Sequence, residues 1–192
     1  MTLRMLGANP CVTLYDDGSP TAYASMWRVD WSEQGGTGHA IVLGSAAGIR
    51  VLGPDRDLSV WLANSFNRHL RGTANLFPWT EPEFTVAPVA FDLDLRTGLR
   101  ASCADVEVAL TDPFDLMLTR NDAYDLGGTP NVLSTVWMPC RGGTIRVGGK
   151  PLPGAPEVDV DAPMSSAFIA EAEVWGWTTG ERGPAATTPG AP

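Results

Sequence analysis

The sequence predicts a mostly β fold, either an antiparallel β-barrel or a two-sheet β-sandwich, carrying one helix at residues 57–70. Three observations predict it. Glycine (21) and proline (16) are spread along the chain and punctuate short apolar runs, as in many short strands joined by turns. Several of those runs alternate apolar and polar side chains, which is the period of a strand. One segment alone repeats its apolar residues at helical spacing. Strands that follow one another through short turns exclude an alternating β-α-β plan.

Residues 11–15 read as a strand, and Asp16-Asp17-Gly18-Ser19-Pro20 as the turn after it. Strand 22–31 places Tyr23, Ser25, Trp27, Val29 and Trp31 on one side, with Met26, Arg28 and Asp30 on the other. Gly35-Gly36-Thr37-Gly38 turns the chain into short strands at 39–43 and 49–52. In the helix, Asp55 or Asp57 caps the free N–H groups of the first turn. Leu58, Trp61, Leu62, Ser65, Phe66, His69 and Leu70 form its apolar side; Asn64, Asn67 and Arg68 form the other.

Residues 75–88, rich in proline and aromatics, read as a loop crossing the sheet. Strand 89–95 alternates Phe91, Leu93 and Leu95 with Asp92 and Asp94. Thr97-Gly98 reads as a two-residue hairpin loop that pairs Arg96 with Leu99. One return strand, 100–110, then puts Asp92, Asp94, Asp105 and Glu107 on a common solvated side. Residues 112–126 are ambiguous: Asp112-Pro113 reads as a helix start, whereas Phe114, Leu116 and Leu118 alternate as in a strand. Strands follow at 131–138, 144–147 and 168–177. Residues 1–177 form a single domain. Residues 178–192, mostly Gly, Pro, Thr and Ala, form a disordered tail.

The totals exclude several functions. A net charge of -9 repels phosphate backbones and anionic membrane surfaces, so neither nucleic acid nor membrane is an expected partner. Three cysteines without Cys-x-x-Cys spacing fit reduced thiols in a cytoplasmic protein. The N-terminus has no apolar run long enough for a signal peptide. No phosphate loop, dinucleotide fingerprint or nucleophile elbow occurs, and the two histidines cannot form a three-histidine site. Neither a cofactor nor a metal is expected.

The last strand carries the candidate chemistry. Ile169, Glu171, Glu173, Trp175 and Trp177 share one side; Phe168, Ala170, Ala172 and Val174 share the other, which fits a packed core. The side with acids and tryptophans is either an outer face with aromatic cross-strand pairs or the wall of a cavity. Inside a cavity the acids would be desolvated and bind protons more tightly. Glu171 and Glu173 are therefore candidate acid or base groups. Arg28 is a candidate to polarise an oxygen, and His39 is an alternative proton carrier. Trp27, Trp137 and Trp175 are the candidate ligand-binding rings.

The hairpin Gly142-Gly143-Thr144-Ile145-Arg146-Val147-Gly148-Gly149-Lys150-Pro151-Leu152-Pro153-Gly154 and the closing Glu173-Val174-Trp175-Gly176-Trp177 resemble lipocalin-like (calycin) barrel proteins of bacterial metabolism. The likeness covers the C-terminal third and rests on turn chemistry. The lipocalin Gly-x-Trp near the first strand has no clear match, the mid-chain helix departs from the usual plan, and no family site residue carries over. The resemblance implies a barrel that binds or transforms hydrophobic polyketide or isoprenoid chains of secondary metabolism. The expected function is a small-molecule pocket protein acting as a cofactor-independent cyclase, isomerase or hydratase on a hydrophobic metabolite. The alternative is a non-catalytic ligand-binding or interaction module. A homodimer is compatible with either.

Overall fold

A computed structural model describes residues 1–70 and 72–177; the tail expected over 178–192 lies outside the described residues. The chain forms β1 (Thr2–Ala8), β2 (Cys11–Asp16), β3 (Ser19–Ser32), β4 (Gly38–Ser45) and β5 (Gly48–Gly53). The helix α1 (Arg56–Ser65) and a 3-10 turn (Asn67–His69) follow. Then come β6 (Glu83–Val86), β7 (Val89–Asp94), β8 (Gly98–Cys103), β9 (Val106–Pro113), β10 (Met117–Leu126) and β11 (Thr129–Val147). β12 (Lys150–Pro151), β13 (Val158–Asp159), β14 (Met164–Ser165) and β15 (Ala167–Gly176) complete it. Among the described residues, no helix is long and apolar enough to cross a membrane.

Among the described residues, thirteen strands join in one sheet, most of them along the path β6-β5-β4-β3-β1-β15-β11-β9-β8-β7. β2 lies between β3 and β15, β10 and β12 pair with β11, and β13 and β14 form a separate pair. Among the described residues every strand pairing is antiparallel except β5 with β6.

The 19-residue β11 turns this sheet into two layers. Residues 131–139 pair with β15, whereas the stretch from Cys140 to Val147 pairs with β9. Glycine is required at the corner. A Cβ on Gly142 would collide with Thr111, and one on Gly143 would lie 2.7 Å from Val12. The far end of the sheet curls back, so Phe91 of β7 lies 5.0 Å from His39 of β4, centroid to centroid. Arg50 of β5 also grips Asp105 in the turn between β8 and β9.

Two cores result. The first fills the space between the layers with Val12, Leu14, Met26, Ile41, Leu52, Leu99, Val106, Ile145 and Ile169. The second lies on the opposite face of the first layer, where Tyr23, Trp27, Val42 and Val51 meet Leu58, Leu62 and Phe66. β3 and β4 are therefore buried on both faces. A ten-residue helix is not stable alone in water. α1 is held by burying Leu58, Leu62 and the following Phe66, each worth about 1.5–3 kcal/mol.

The helix starts as expected, with the Asp55 carboxylate accepting the Leu58 N–H at 3.0 Å. It ends at Ser65 rather than running to 70. Phe66 leaves helical geometry and the next three residues tighten into a 3-10 turn. Asn67, expected on the polar side, is wholly buried and accepts the Trp27 Nε1–H at 2.6 Å.

The acidic hairpin also differs. Leu93 pairs with Leu99 and Asp94 with Gly98, so the loop is Leu95-Arg96-Thr97. The return is two strands, not one, because Ala104 takes a positive φ of 53° and reverses the chain between Cys103 and Val106. That turn takes Asp105 out of the acidic face and delivers it to Arg50. Residues 117–126 are strand, paired with β11.

Candidate functional site

β15 runs along the seam between the two cores, and its alternation divides their chemistry. Ile169 points into the first core. Phe168, Ala170, Ala172 and Val174 point to the other side, where they line a cleft of about 560 Å³. The side read from sequence as a packed core is therefore the hollow one. Its floor is hollow because Ala170 and Ala172 carry single methyl groups where larger side chains would fill the space.

Each wall has a separate origin. β11 contributes Leu133, Thr135 and Trp137, which pair directly with Val174, Ala172 and Ala170. β1 and β3 contribute Met5 and Trp27, and the turn after α1 contributes Phe66, Leu70 and Thr73. β10 overhangs with Thr119, Asn121 and Tyr124. Trp137 stacks on Phe168, with centroids 3.6 Å apart and planes 23° from parallel.

The polar groups of the cleft are mostly neutral. Arg120 is the one charged side chain among the described lining residues; it is more than half exposed and pairs with Asp122 at 2.7 Å. Burial pushes the Cys11 thiol up to about 12, so it stays protonated and is no nucleophile. Ser165 Oγ donates to the Cys140 carbonyl at 2.7 Å, and Ser166 Oγ to that of Thr13 at 2.8 Å. Asn9 is buried, and its Nδ2 donates to Ser25 Oγ at 2.7 Å and to the Met26 carbonyl at 3.2 Å. Trp137 Nε1 is buried without a hydrogen-bond partner among the described residues.

The residues singled out from sequence fall into two groups. Trp27 and Trp137 line the cleft. Arg28, Glu171 and His39 meet on the other face of the sheet: Arg28 Nη2 lies 3.3 Å from Glu171 Oε1, and Arg28 is the cross-strand partner of His39. Asp30 also pairs with Arg28, at 3.2 Å. Burial lowers the His39 pKa; Arg28 lowers it further, and Asp30 opposes both. Phe91 packs against the His39 ring. Glu173 is exposed and accepts the Trp175 Nε1–H at 3.3 Å, so these two residues partner each other outside the cleft.

Sequence reasoning missed Asn9, Phe66, Leu70, Ala170 and Ala172 as cleft residues. The two alanines were the available signal, since small residues alternating on one side of a strand leave either close packing or a hollow. Among the described residues, no group of three His, Cys, Asp or Glu side chains could hold a metal ion. Compared with family models, curated proteins and solved structures, the chain matches none.

Proposed function

We propose that the protein is a non-catalytic binding module for a neutral, hydrophobic small molecule, which lies along β15 in the cleft. The observation that carries this reading is a cleft of about 560 Å³, within the size range of small-molecule sites, floored by alanines and walled by aromatic and aliphatic side chains. A general acid or base must come within hydrogen-bond reach of its substrate. Glu171, Arg28 and His39 are separated from the cleft by the thickness of the sheet, which favours binding over the cyclase, isomerase or hydratase reading. The likeness to lipocalin-like barrels agrees with a hydrophobic ligand but supplies none of the residues.

The test is direct titration of the full chain with 1-aminoanthracene, a neutral fluorophore that brightens in apolar surroundings. Ala172→Phe places a ring in the floor and should weaken binding at least tenfold. Glu171→Gln and His39→Ala should leave binding unchanged. Equal binding by wild type and Ala172→Phe would overturn the reading, as would loss of binding in the Glu171 or His39 variant.

A further inference from the structure

Taking the cleft as the ligand site proposed above, we infer that the ligand carries a neutral head with both a hydrogen-bond donor and an acceptor, as in a primary or secondary amide. The head sits over Ala170 between Asn9 Oδ1 and Trp137 Nε1. The Asn9 N–H donates to the Ala170 carbonyl at 2.7 Å, and Ala170 pairs directly with Trp137 on its other side. These three residues therefore form a row across the sheet. Strand spacing separates the outer two by about 10 Å, Cα to Cα. The middle residue offers only a methyl group, so the space above it is open.

The two flanking groups are of opposite kind. A carbonyl oxygen can only accept, so the bond to Met26 fixes the Asn9 amide nitrogen on that side and turns Oδ1 away from it. Oδ1 accepts no hydrogen bond from the described residues. Trp137 Nε1 can only donate, and its donor is buried and unpartnered. The stack on Phe168 fixes the plane in which that donor points. Ser165 and Ser166 spend their hydroxyl protons on backbone carbonyls, leaving Asn9 and Trp137 as the pair with unspent capacity in this row. The Trp137 donor is the buried one of the two; leaving it without a partner is costly, and a ligand that pairs it gains that cost back in affinity.

Charge narrows the class. A carboxylate presents acceptors only, and would face Asn9 Oδ1 oxygen to oxygen. Its acid form has the donor, but must first be protonated against an ordinary pKa near 4. A neutral amide needs neither concession. Beyond the head, the cleft continues along β15 past Ala172 to Val174, Leu133, Met5 and Phe66, all apolar. The body of the ligand is accordingly apolar.

The experiment displaces 1-aminoanthracene from the full-length protein with dodecanamide, N,N-dimethyldodecanamide and dodecanoate at pH 7. Dodecanamide should displace it at a concentration roughly fivefold or more below either of the others, the scale of one buried hydrogen bond. Trp137→Phe keeps the ring stack and removes only an unpartnered donor. It should weaken both amides by a similar factor, each measured against 1-aminoanthracene titrated directly on the same variant. Asn9→Leu should abolish the preference for the primary over the dimethyl amide, which separates the lost donor from the bulk of the methyl groups. Asn9→Ser serves the same purpose if the leucine variant does not fold. Equal displacement by the two amides, tightest displacement by dodecanoate, or an unchanged amide affinity in Trp137→Phe would each overturn the head-group assignment. Because the probe would still report the cleft in those cases, that failure is distinct from failure of the binding reading, in which 1-aminoanthracene itself does not bind or ignores Ala172→Phe.

Discussion

Trp27→Phe should destabilise the protein far more than its conservative chemistry suggests. The indole Nε1–H donates to Asn67 Oδ1 at 2.6 Å, and the two residues are 1% and 0% exposed. Asn67 Nδ2 already lacks a partner, so removing the indole strands both ends of a fully buried amide. Leaving that acceptor unpaired costs about 1–3 kcal/mol. The smaller ring also gives up packing against Phe66, whose centroid lies 5.6 Å away, at a further cost of about 1–2 kcal/mol. The total is about 2–5 kcal/mol. For a chain of this size, each kcal/mol lowers Tm by about 2–4 °C, so the expected fall is about 4–20 °C. Urea unfolding followed by circular dichroism measures the free energy, with the slope unchanged if the unfolded state is unaffected. Asn67→Leu alone strands the indole instead, and Trp27→Phe with Asn67→Leu removes both partners. The double variant should therefore be more stable than the sum of the single losses predicts, by about 1 kcal/mol or more. A loss below about 1 kcal/mol for Trp27→Phe, together with strict additivity in the cycle, would refute this account of how the turn after α1 is anchored.

The remaining predictions concern the helix and the link between the layers. Leu62 is 0% exposed beneath α1, so Leu62→Ala should cost about 2–5 kcal/mol in urea unfolding, and a cost under about 1 kcal/mol would mean the helix is not docked there. The Arg50 hydrogen bonds hold the Asp105 carboxyl below the usual carboxylate range. A depressed folded pKa gives stability that is present above the unfolded pKa and lost as pH falls through the folded one. Asp105→Asn should therefore be less stable than wild type at pH 6, by under about 1 kcal/mol given the carboxylate's exposure, with the gap closing at acid pH below the folded pKa; a gap that persists or widens in acid would contradict the ion pair.

Sequence pattern reached the fold where one cause acted at a time. The helix was visible because Asp55, Leu58, Leu62 and Phe66 combine a cap with a helical stripe, and nothing else competes for those residues. Its end was not visible, because Asn67 answers to Trp27, forty positions earlier in the chain. The turn at Ala104 carries no glycine or asparagine in the left-handed position, so residues 100–110 read as one strand. Alternation divides β3 into its two sides as far as Val29; at Asp30 the register against β1 slips by one residue, and Trp31 leaves the buried side of Trp27 and Val29. What sequence could not give is that both sides are buried, the even one between layers and the odd one under α1, because that depends on β11 turning its corner.

The same geometry explains why the cleft lies where it does. Ten residues of helix span about 15 Å, and a helix with its side chains is about 10 Å wide. From β5 across β4, β3, β1 and β15 to β11, this face of the sheet is five strand spacings wide, or about 24 Å. One short helix cannot cover such a face. α1 packs over β4 and β5, where Val42 and Val51 meet Leu58 and Leu62. The part that α1 does not cover is built by β1, β15 and β11, and an apolar sheet face left open to water is costly. Among the described residues it is covered only at the edges, by the turn around Leu70 and Thr73 on one side and the β10 overhang on the other. The gap between those edges is the cleft. Had β15 carried leucines at 170 and 172, their side chains would have filled that gap as ordinary core. With alanines there, the sheet keeps a hollow face, and that is where the proposed ligand would lie.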